Sequence, residues 1–329
     1  MTPDAASVSE HARSADLKPD LVRVVVTLPT FRRPEHLIMT LDSLQAQGFG
    51  EETAVVVMDN DAEGLQGAVA AADWLESARL KGIVIVAHQR GNCHAYNAGW
   101  ETALAEFPRL THVAVIDDDE IAGPDWLSGL MKTARKTGAD LVGGPQIPVF
   151  ADKALDGWRR HPVFTPHYQE TGLVPILYSS GNVLISRPVL DIMPKPYLDP
   201  AFNFIGGGDS DFYRRAKANG FEFAWNAEAA VLETLPSRRA EFSWLNARSL
   251  RNGAISAILE KRQWPGMPGR IRTLAKSLAL LAAAPLRGVQ LGLQTGSAVI
   301  GLYHMQVALG RLMSEFGQVN EQYRNPEGN

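Results

Sequence analysis

Residues 21–30 read LVRVVVTLPT, a nearly continuous β-branched run up to Leu28, followed by Pro29 and Thr30. Such a run suits a strand buried on both faces, as strands of a parallel sheet are. Pro29 and Pro34 bracket a loop, and between Glu35 and Gln47 the residues Leu37, Ile38, Leu41 and Leu44 recur at helical spacing. The pattern then repeats. TAVVVM (53–58), GIVIVA (82–87) and THVAVI (111–116) read as strands, with helical stretches over 65–80 and 95–107 between them. This alternation predicts an α/β fold of βαβ units with right-handed crossovers and a mostly parallel sheet. Ligands of open α/β sheets bind outside the carboxyl ends of the strands. Here those ends carry Thr30, Asp59, Arg90 and the run Asp117-Asp118-Asp119-Glu120.

Beyond Asp140 the alternation breaks down. The segment 141–150 (LVGGPQIPVF) contains Gly and Pro, and 151–174 reads as loop, with Trp158, His161 and His167. PILYSSGNVLIS (175–186) reads as a strand broken at Ser180-Gly181. Gly206-Gly207-Gly208-Asp209-Ser210-Asp211 leads into a helix, and 221–225 and 229–232 read as short strands. A helix is expected over 242–262. From Lys261 to Met313 there is no Asp or Glu, while seven residues are Lys or Arg. Residues 288–310 carry no charge, yet Gln290, Gln294, Thr295, Ser297, His304 and Gln306 make them poorly apolar for a span. The preferred reading is a pair of amphipathic helices, docked or lying on a membrane surface. An acid-free basic segment suits an anionic cytoplasmic leaflet.

The 329 residues, 45% hydrophobic and 21% charged, exclude a disordered or fibrous chain and suffice for a sizeable core. A net charge of −4 makes nucleic acid a poor partner. The single Cys93 forms no intrachain disulfide. Residues 1–20 lack the apolar core of an export signal, so they read as a disordered polar tail on a cytoplasmic protein. The expected division is a tail over 1–20, a catalytic α/β domain over 21–240 and a helical appendage over 241–329.

The acidic run is the sharpest chemical signal. Adjacent carboxylates at a strand end repel one another unless a cation sits among them. Oxygen ligands suit Mg²⁺ or Mn²⁺, which would in turn hold a diphosphate. A solvated acidic turn is the plainer reading, and the cluster alone does not separate the two. Asp59 could accept a hydrogen bond from a nucleobase or ribose; taken alone, it reads more readily as a turn residue. Arg90 could pair with phosphate, although a loop arginine is more often simply solvated. In the glycine-rich motif, a carboxylate could serve as general base to an acceptor hydroxyl, or as a helix N-cap. There is no G-x-S-x-G, H-E-x-x-H, G-x-G-x-x-G or P-loop pattern. Serine hydrolases, zincins, nicotinamide dehydrogenases and P-loop NTPases are therefore disfavoured.

Taken in order, six stretches form a familiar set. They are VVVTLPTFRR (24–33), Asp59-Asn60, Arg90-Gly91 with Asn97-Ala98-Gly99, Asp117 to Asp119, GGGDSDF (206–212) and ETLPSR (233–238). This set resembles family 2 glycosyltransferases of the GT-A fold, closest to bacterial succinoglycan-type exopolysaccharide glucosyltransferases, over about residues 21–262. The resemblance implies a GT-A, Rossmann-like domain with a helical C-terminal appendage. It also implies inverting transfer from a nucleotide sugar, typically a UDP-sugar, to a glycan or polyprenyl-linked acceptor at the inner face of the membrane. By it, Pro29, Thr30, Asp59 and Arg90 line the nucleotide site, with Asp117 near the ribose and Asp118 beside it. Asp119 binds the metal, Mg²⁺ or Mn²⁺, with Asp117 as a second ligand. Asp209 is the base and Asp211 the second choice. Two departures stand out. Gly208 occupies the place of the family's usual Glu, and Thr234 stands where a metal-binding His is often found. They keep open a non-catalytic, sugar-nucleotide-binding reading.

Overall fold

The computed structural model describes residues 7–319 and 321, except 49 and 51. In chain order its elements are β1 (Val8–Arg13), β2 (Val24–Thr30), α1 (Pro34–Gln45), β3 (Thr53–Asp59), α2 (Gln66–Ser77), β4 (Lys81–Ala87), α3 (Asn92–Glu106) and β5 (His112–Ile116). Then follow β6 (Glu120–Ala122), α4 (Trp126–Thr137), β7 (Leu141–Gly143), β8 (Gln146–Phe150), β9 (Gly172–Val174), β10 (Asn182–Ser186), α5 (Arg187–Ile192) and α6 (Gly208–Ala218). The last are β11 (Phe223–Trp225), β12 (Val231–Leu235), α7 (Phe242–Gln263), α8 (Met267–Thr295), α9 (Ala298–Gly301) and α10 (Tyr303–Met313).

The expected alternation forms the heart of a nine-stranded sheet ordered β1-β4-β3-β2-β5-β10-β7-β11-β9. Strands β4, β3, β2 and β5 are parallel. Their runs are apolar throughout because helices cover both faces. On one face Leu37, Leu41 and Leu44 of α1 and Trp126, Leu127 and Leu130 of α4 join Val26, Leu28, Val55 and Val57 in one core. Each such side chain contributes about 1.5–3 kcal/mol by leaving water. On α3, Trp100 packs its ring 5.3 Å from Phe212 and 5.8 Å from Tyr197. Strand β10 then runs antiparallel to both of its neighbours, β5 and β7, and β11 is parallel to β7. Three short strands, ordered β6-β12-β8, form a second sheet.

The tail expected over 1–20 is corrected in part. Residues 8–13 are an edge strand, antiparallel to β4, with a register shift between Glu10 and Ala12. An edge strand needs backbone partners rather than an apolar pattern, so VSEHAR gives no signal in the sequence. Arg13 anchors it, its guanidinium lying 2.6 Å from Glu10 and 2.7 Å from Glu106. Residues 1–6 lie outside the described residues.

The chain divides into two compact units, and the division differs from the expected one. The first holds residues 1–147, 167–203 and 208–234; the second holds 148–166, 204–207 and 235–329. The helical unit thus takes in two loops that the sequence places in the catalytic domain. Its own core gathers Phe150, Phe164, Leu235, Ala240 and Leu245, and Trp244 stacks on Phe164 with ring centroids 6.0 Å apart. Helices α7 and α10 meet at reciprocal glycines. A Cβ on Gly253 would fall 2.0 Å from the Val307 carbonyl oxygen, and one on Gly310 would fall 1.9 Å from that of Leu250. The uncharged stretch 288–310 is no single helix, because α8 ends at Gly296, whose φ is 68°. Among the described residues no helix is long and apolar enough to cross a membrane.

Candidate active site

From β2 the chain proceeds outward to β3 and β4, then returns to β5 on the other side of β2. A crevice forms where the strand order reverses, at the carboxyl ends of β2 and β5. One hydrogen bond ties those ends together: the Thr30 hydroxyl donates to Asp118 Oδ2 at 2.8 Å.

Past β5 the acidic residues alternate in environment. Asp118 and Glu120 are buried, whereas Asp117 and Asp119 are partly open. Glu120 folds back to accept from the Asp117 backbone N–H at 2.9 Å, and it also takes a hydrogen bond from Gln146. The Tyr96 hydroxyl donates to Asp117. Arg33 lies 2.9 Å from Asp119 and 3.5 Å from Asp118. Burial, reinforced by the charge of Asp119, pushes the carboxyls of Asp117 and Asp118 well above the usual range. Glu233 on β12 adds to the negative field at Asp117. Thr234, where the family often has a histidine, donates its backbone N–H to the Asp119 carbonyl at 2.9 Å. Gly181 closes over the cluster, since a Cβ there would sit 2.9 Å from Asp117 Oδ2 and 2.7 Å from Glu120 Oε1.

This donor set is all oxygen and carries more negative charge than Arg33 offsets, which fits a hard divalent cation. Among the described residues no group of three or more His, Cys, Asp or Glu side chains is arranged to hold a metal. Asp117 and Asp119 are the two carboxylates of the run that are partly open to solvent. Mg²⁺ commonly binds through one or two carboxylates, with substrate phosphate and water completing it.

At the ends of β3 and β4 the roles are more structural. Asp59 is fully buried and accepts from the backbone N–H groups of Asp61 at 2.9 Å and Ala68 at 2.7 Å. It holds the turn and the start of α2 in place. Burial, only partly offset by those bonds, pushes its carboxyl up. Gly67 lies close beneath Thr30 and Asp59, where a Cβ would come 2.5 Å from Thr30 Cγ2. Asn60 donates to the carbonyls of Ala87 and Gln89 and accepts from Gly91 N–H at 2.7 Å, so it fixes the Arg90 loop. Arg90 is exposed, with its guanidinium 5.2 Å from the Phe31 ring centre; Arg32 lies 4.9 Å from the same ring. Pro29, the last residue but one of β2, is the partner of Met58.

Helix α3 joins this cluster to the glycine-rich motif. Cys93 and Tyr96, three residues apart, share one face of the helix. Tyr96 reaches Asp117, while Cys93 lies under Gly208. Asn97 exchanges hydrogen bonds of 2.8 Å with the Leu198 backbone, and Asn203 accepts from Cys93 N–H at 2.9 Å. The segment before the motif is thus held by the same helix. Tyr213 feels the charges of both Asp209 and Asp117. Asp209 is partly open and accepts from Ser210 N–H at 2.6 Å. Asp211 is buried and pairs with Arg215 at 2.7 Å.

The departure at Gly208 has a steric cause. A Cβ there would sit 2.8 Å from the Cys93 sulfur and 3.5 Å from Phe202 Cβ. Gly208→Ala is expected to cost about 1–3 kcal/mol by overpacking. Cys93→Gly in the same chain should recover most of the loss. Urea unfolding of the two single variants and the double variant measures this; additive losses would refute the contact.

Sequence reasoning assigned no role to Tyr96, Arg33, Asn60 or Glu233. Arg33 lies within the first motif, three residues beyond Thr30. The link from Tyr96 to Asp117 depends on how α3 docks and leaves no local signal.

Residues 25–191 match the family model described as glycosyl transferase family 2. The chain belongs to this family. A curated relative in Rhizobium meliloti, the succinoglycan biosynthesis protein ExoM, is 31% identical over 71% of this chain and 74% of its own length. A glucosyl-dolichyl phosphate glucuronosyltransferase of Haloferax volcanii is 25% identical over 73% and 77%. Among solved structures, a Pyrobaculum calidifontis mannosyltransferase in complex with GDP-Man and Mn²⁺ superposes with a TM-score of 0.57. It is 19% identical, and 90% of each chain is covered. Residues 1–349 of S. aureus TarS, in complex with UDP, give a TM-score of 0.51 at 12% identity, with 90% and 92% covered. At these identities the likeness is one of fold, and the fold of this family 2 glycosyltransferase is the expected GT-A type with a helical C-terminal region.

Proposed function

We propose that this glycosyltransferase moves a hexose from a UDP-sugar, with inversion, to a glycan or polyprenyl-linked oligosaccharide in the synthesis of cell-surface polysaccharide. One observation carries the reading. Partly open Asp117 and Asp119 stand at the crevice between β2 and β5, and helix α3 links Asp117 to the first turn of α6, which carries Asp209. The Rhizobium meliloti relative, named for succinoglycan biosynthesis, supports the product class.

In this reading Pro29, Thr30, Asp59 and Arg90 shape the nucleoside side of the site, and Asp118 is its inner strut. Asp119 and Asp117 would hold Mg²⁺ or Mn²⁺, which supplies Lewis-acid stabilisation of the leaving diphosphate. Arg90 and Arg33 bring positive charge to the same rim. Asp209 takes the proton of the acceptor hydroxyl as its oxygen bonds to the anomeric carbon. The bond from that carbon to the diphosphate oxygen breaks on the opposite face, and the electron pair leaves with the nucleotide. The protein works at the cytoplasmic face of the cell membrane, in peripheral contact through its C-terminal helices.

The test is UDP binding by calorimetry with Mn²⁺ and after EDTA, on wild type and Asp119→Ala. Metal-dependent binding should weaken in the variant by more than the roughly 10–100-fold typical of losing an outer-shell partner. Equal binding in both proteins would remove Asp119 from the metal site. The degenerate, binding-only reading rests on Gly208 and Thr234. It predicts UDP binding without turnover on any donor and acceptor panel.

A further inference from the structure

Helix α8 is amphipathic in the reverse of the usual sense. Its buried positions are small or polar: Gly269, Thr273, Ser277 and Ala284. Its large apolar side chains point outward instead. Ile271, Leu274, Leu278, Leu286, Val289 and Leu293 are between 43% and 80% exposed. At about 100° per residue these six form one stripe along a helix roughly 43 Å long. A soluble surface helix directs such a stripe at its own core. A contiguous apolar stripe left outside marks a surface meant for a partner.

We propose that this face of α8 is a membrane-surface helix that beds into an anionic lipid leaflet; this deepens the peripheral contact proposed above and rests on it. Charge identifies the occupant. On the same helical projection, Arg270 and Arg272 fall about 100° to either side of the stripe, flanking it. From there their guanidinium groups reach lipid phosphates while the stems lie along the acyl boundary. No acidic residue occurs between Lys261 and Met313 to oppose an anionic surface. Trp264, 45% exposed just before the helix, supports the Arg272 guanidinium 4.7 Å from its ring centre. Tryptophan favours the headgroup level. A second copy of this chain fits the face less well, because the same face of that copy brings no acidic residue to answer Arg270 and Arg272.

The experiment uses the full chain and flotation with vesicles of phosphatidylcholine alone, or mixed with phosphatidylglycerol. UDP binding is followed in parallel as a check on the fold. Wild type should float with the anionic vesicles and dissociate at high salt. Leu274→Glu with Leu278→Glu, both at exposed positions, should bind at least about tenfold less and keep UDP binding. Arg270→Ala with Arg272→Ala should lose the salt-sensitive part. Wild type that binds UDP but neither vesicle overturns the lipid face and leaves the transferase reading standing. Vesicle binding unchanged by the Glu pair also overturns it. So does a dimer that the Glu pair dissociates without any vesicle binding. Loss of UDP binding by wild type is a failure of the transferase reading and is seen separately.

Discussion

Asp209→Asn is expected to lower the rate of sugar transfer by about 10²–10⁴-fold, the usual worth of a positioned general base. The substitution keeps the side chain's size and its capacity to accept from Ser210 N–H, so the start of α6 should stay in place. UDP binding should not change. Initial rates with donor and acceptor, read beside a UDP titration, separate the two effects. Asp211→Asn provides the contrast. Asp211 is buried and committed to Arg215, so its replacement should act first on stability. Turnover that survives in Asp209→Asn but is lost in a well-folded Asp211→Asn would exchange the two roles.

Arg311→Met should destabilise the helical unit by about 3–5 kcal/mol, the range for breaking a buried ion pair from one side. Arg311 is only 2% exposed, yet it lies at the centre of a polar knot. Its guanidinium reaches Glu260 at 2.6 Å and Ser277 at 3.0 Å, and also bonds Ser256. Helices α7, α8 and α10 are joined through this one side chain. Without it, among the described residues Glu260 keeps Lys276 as its ionic partner, 3.3 Å away. Burial tends to raise the Glu260 carboxyl, but hydrogen bonds from Arg311 and Lys276 outweigh it, and the group sits below its ordinary 4.5. A carboxyl depressed in the folded state contributes stability above its unfolded pKa and loses it as pH falls through the folded value. In wild type that loss belongs below 4.5. In Arg311→Met the Glu260 carboxyl is released upward toward the value burial favours, so this acid-linked loss should shrink. Urea denaturation across the acid range tests both points, and a near-neutral Arg311→Met at pH 7 would refute the knot.

How much was legible in the sequence follows from which force makes each element. Strands β2 to β5 are apolar on both sides, so their runs announce themselves. Strand β1 is held by backbone pairing and by Arg13, so its polar letters hide it. Of the three-residue strands, β11 is legible within 221–225, whereas β7 and β9 exist through pairing, β7 with β10 and β11 and β9 with β11. The helical unit recruits 148–166 and 204–207 through packing that no local pattern encodes. At the site, the acidic run could be read directly, because carboxylates crowded at a strand end are conspicuous. The inward turn of Asp118 toward Thr30, and the backbone duty of Asp59, depend on strand neighbours far apart in sequence. Gly208 looked like a missing carboxylate; beside the Cys93 sulfur it is a position with no room for a side chain.

Strand β1 has a consequence for the molecule in company. The outer rim of β4 would otherwise offer a row of unanswered N–H and C=O groups, a template on which other chains can add and grow into fibres. The six residues of β1, four of them polar, fill that row and turn the charged Glu10 and Arg13 side chains to the solvent. The least conspicuous strand of the sheet thus acts as a guard that helps this glycosyltransferase remain dispersed in a crowded cell.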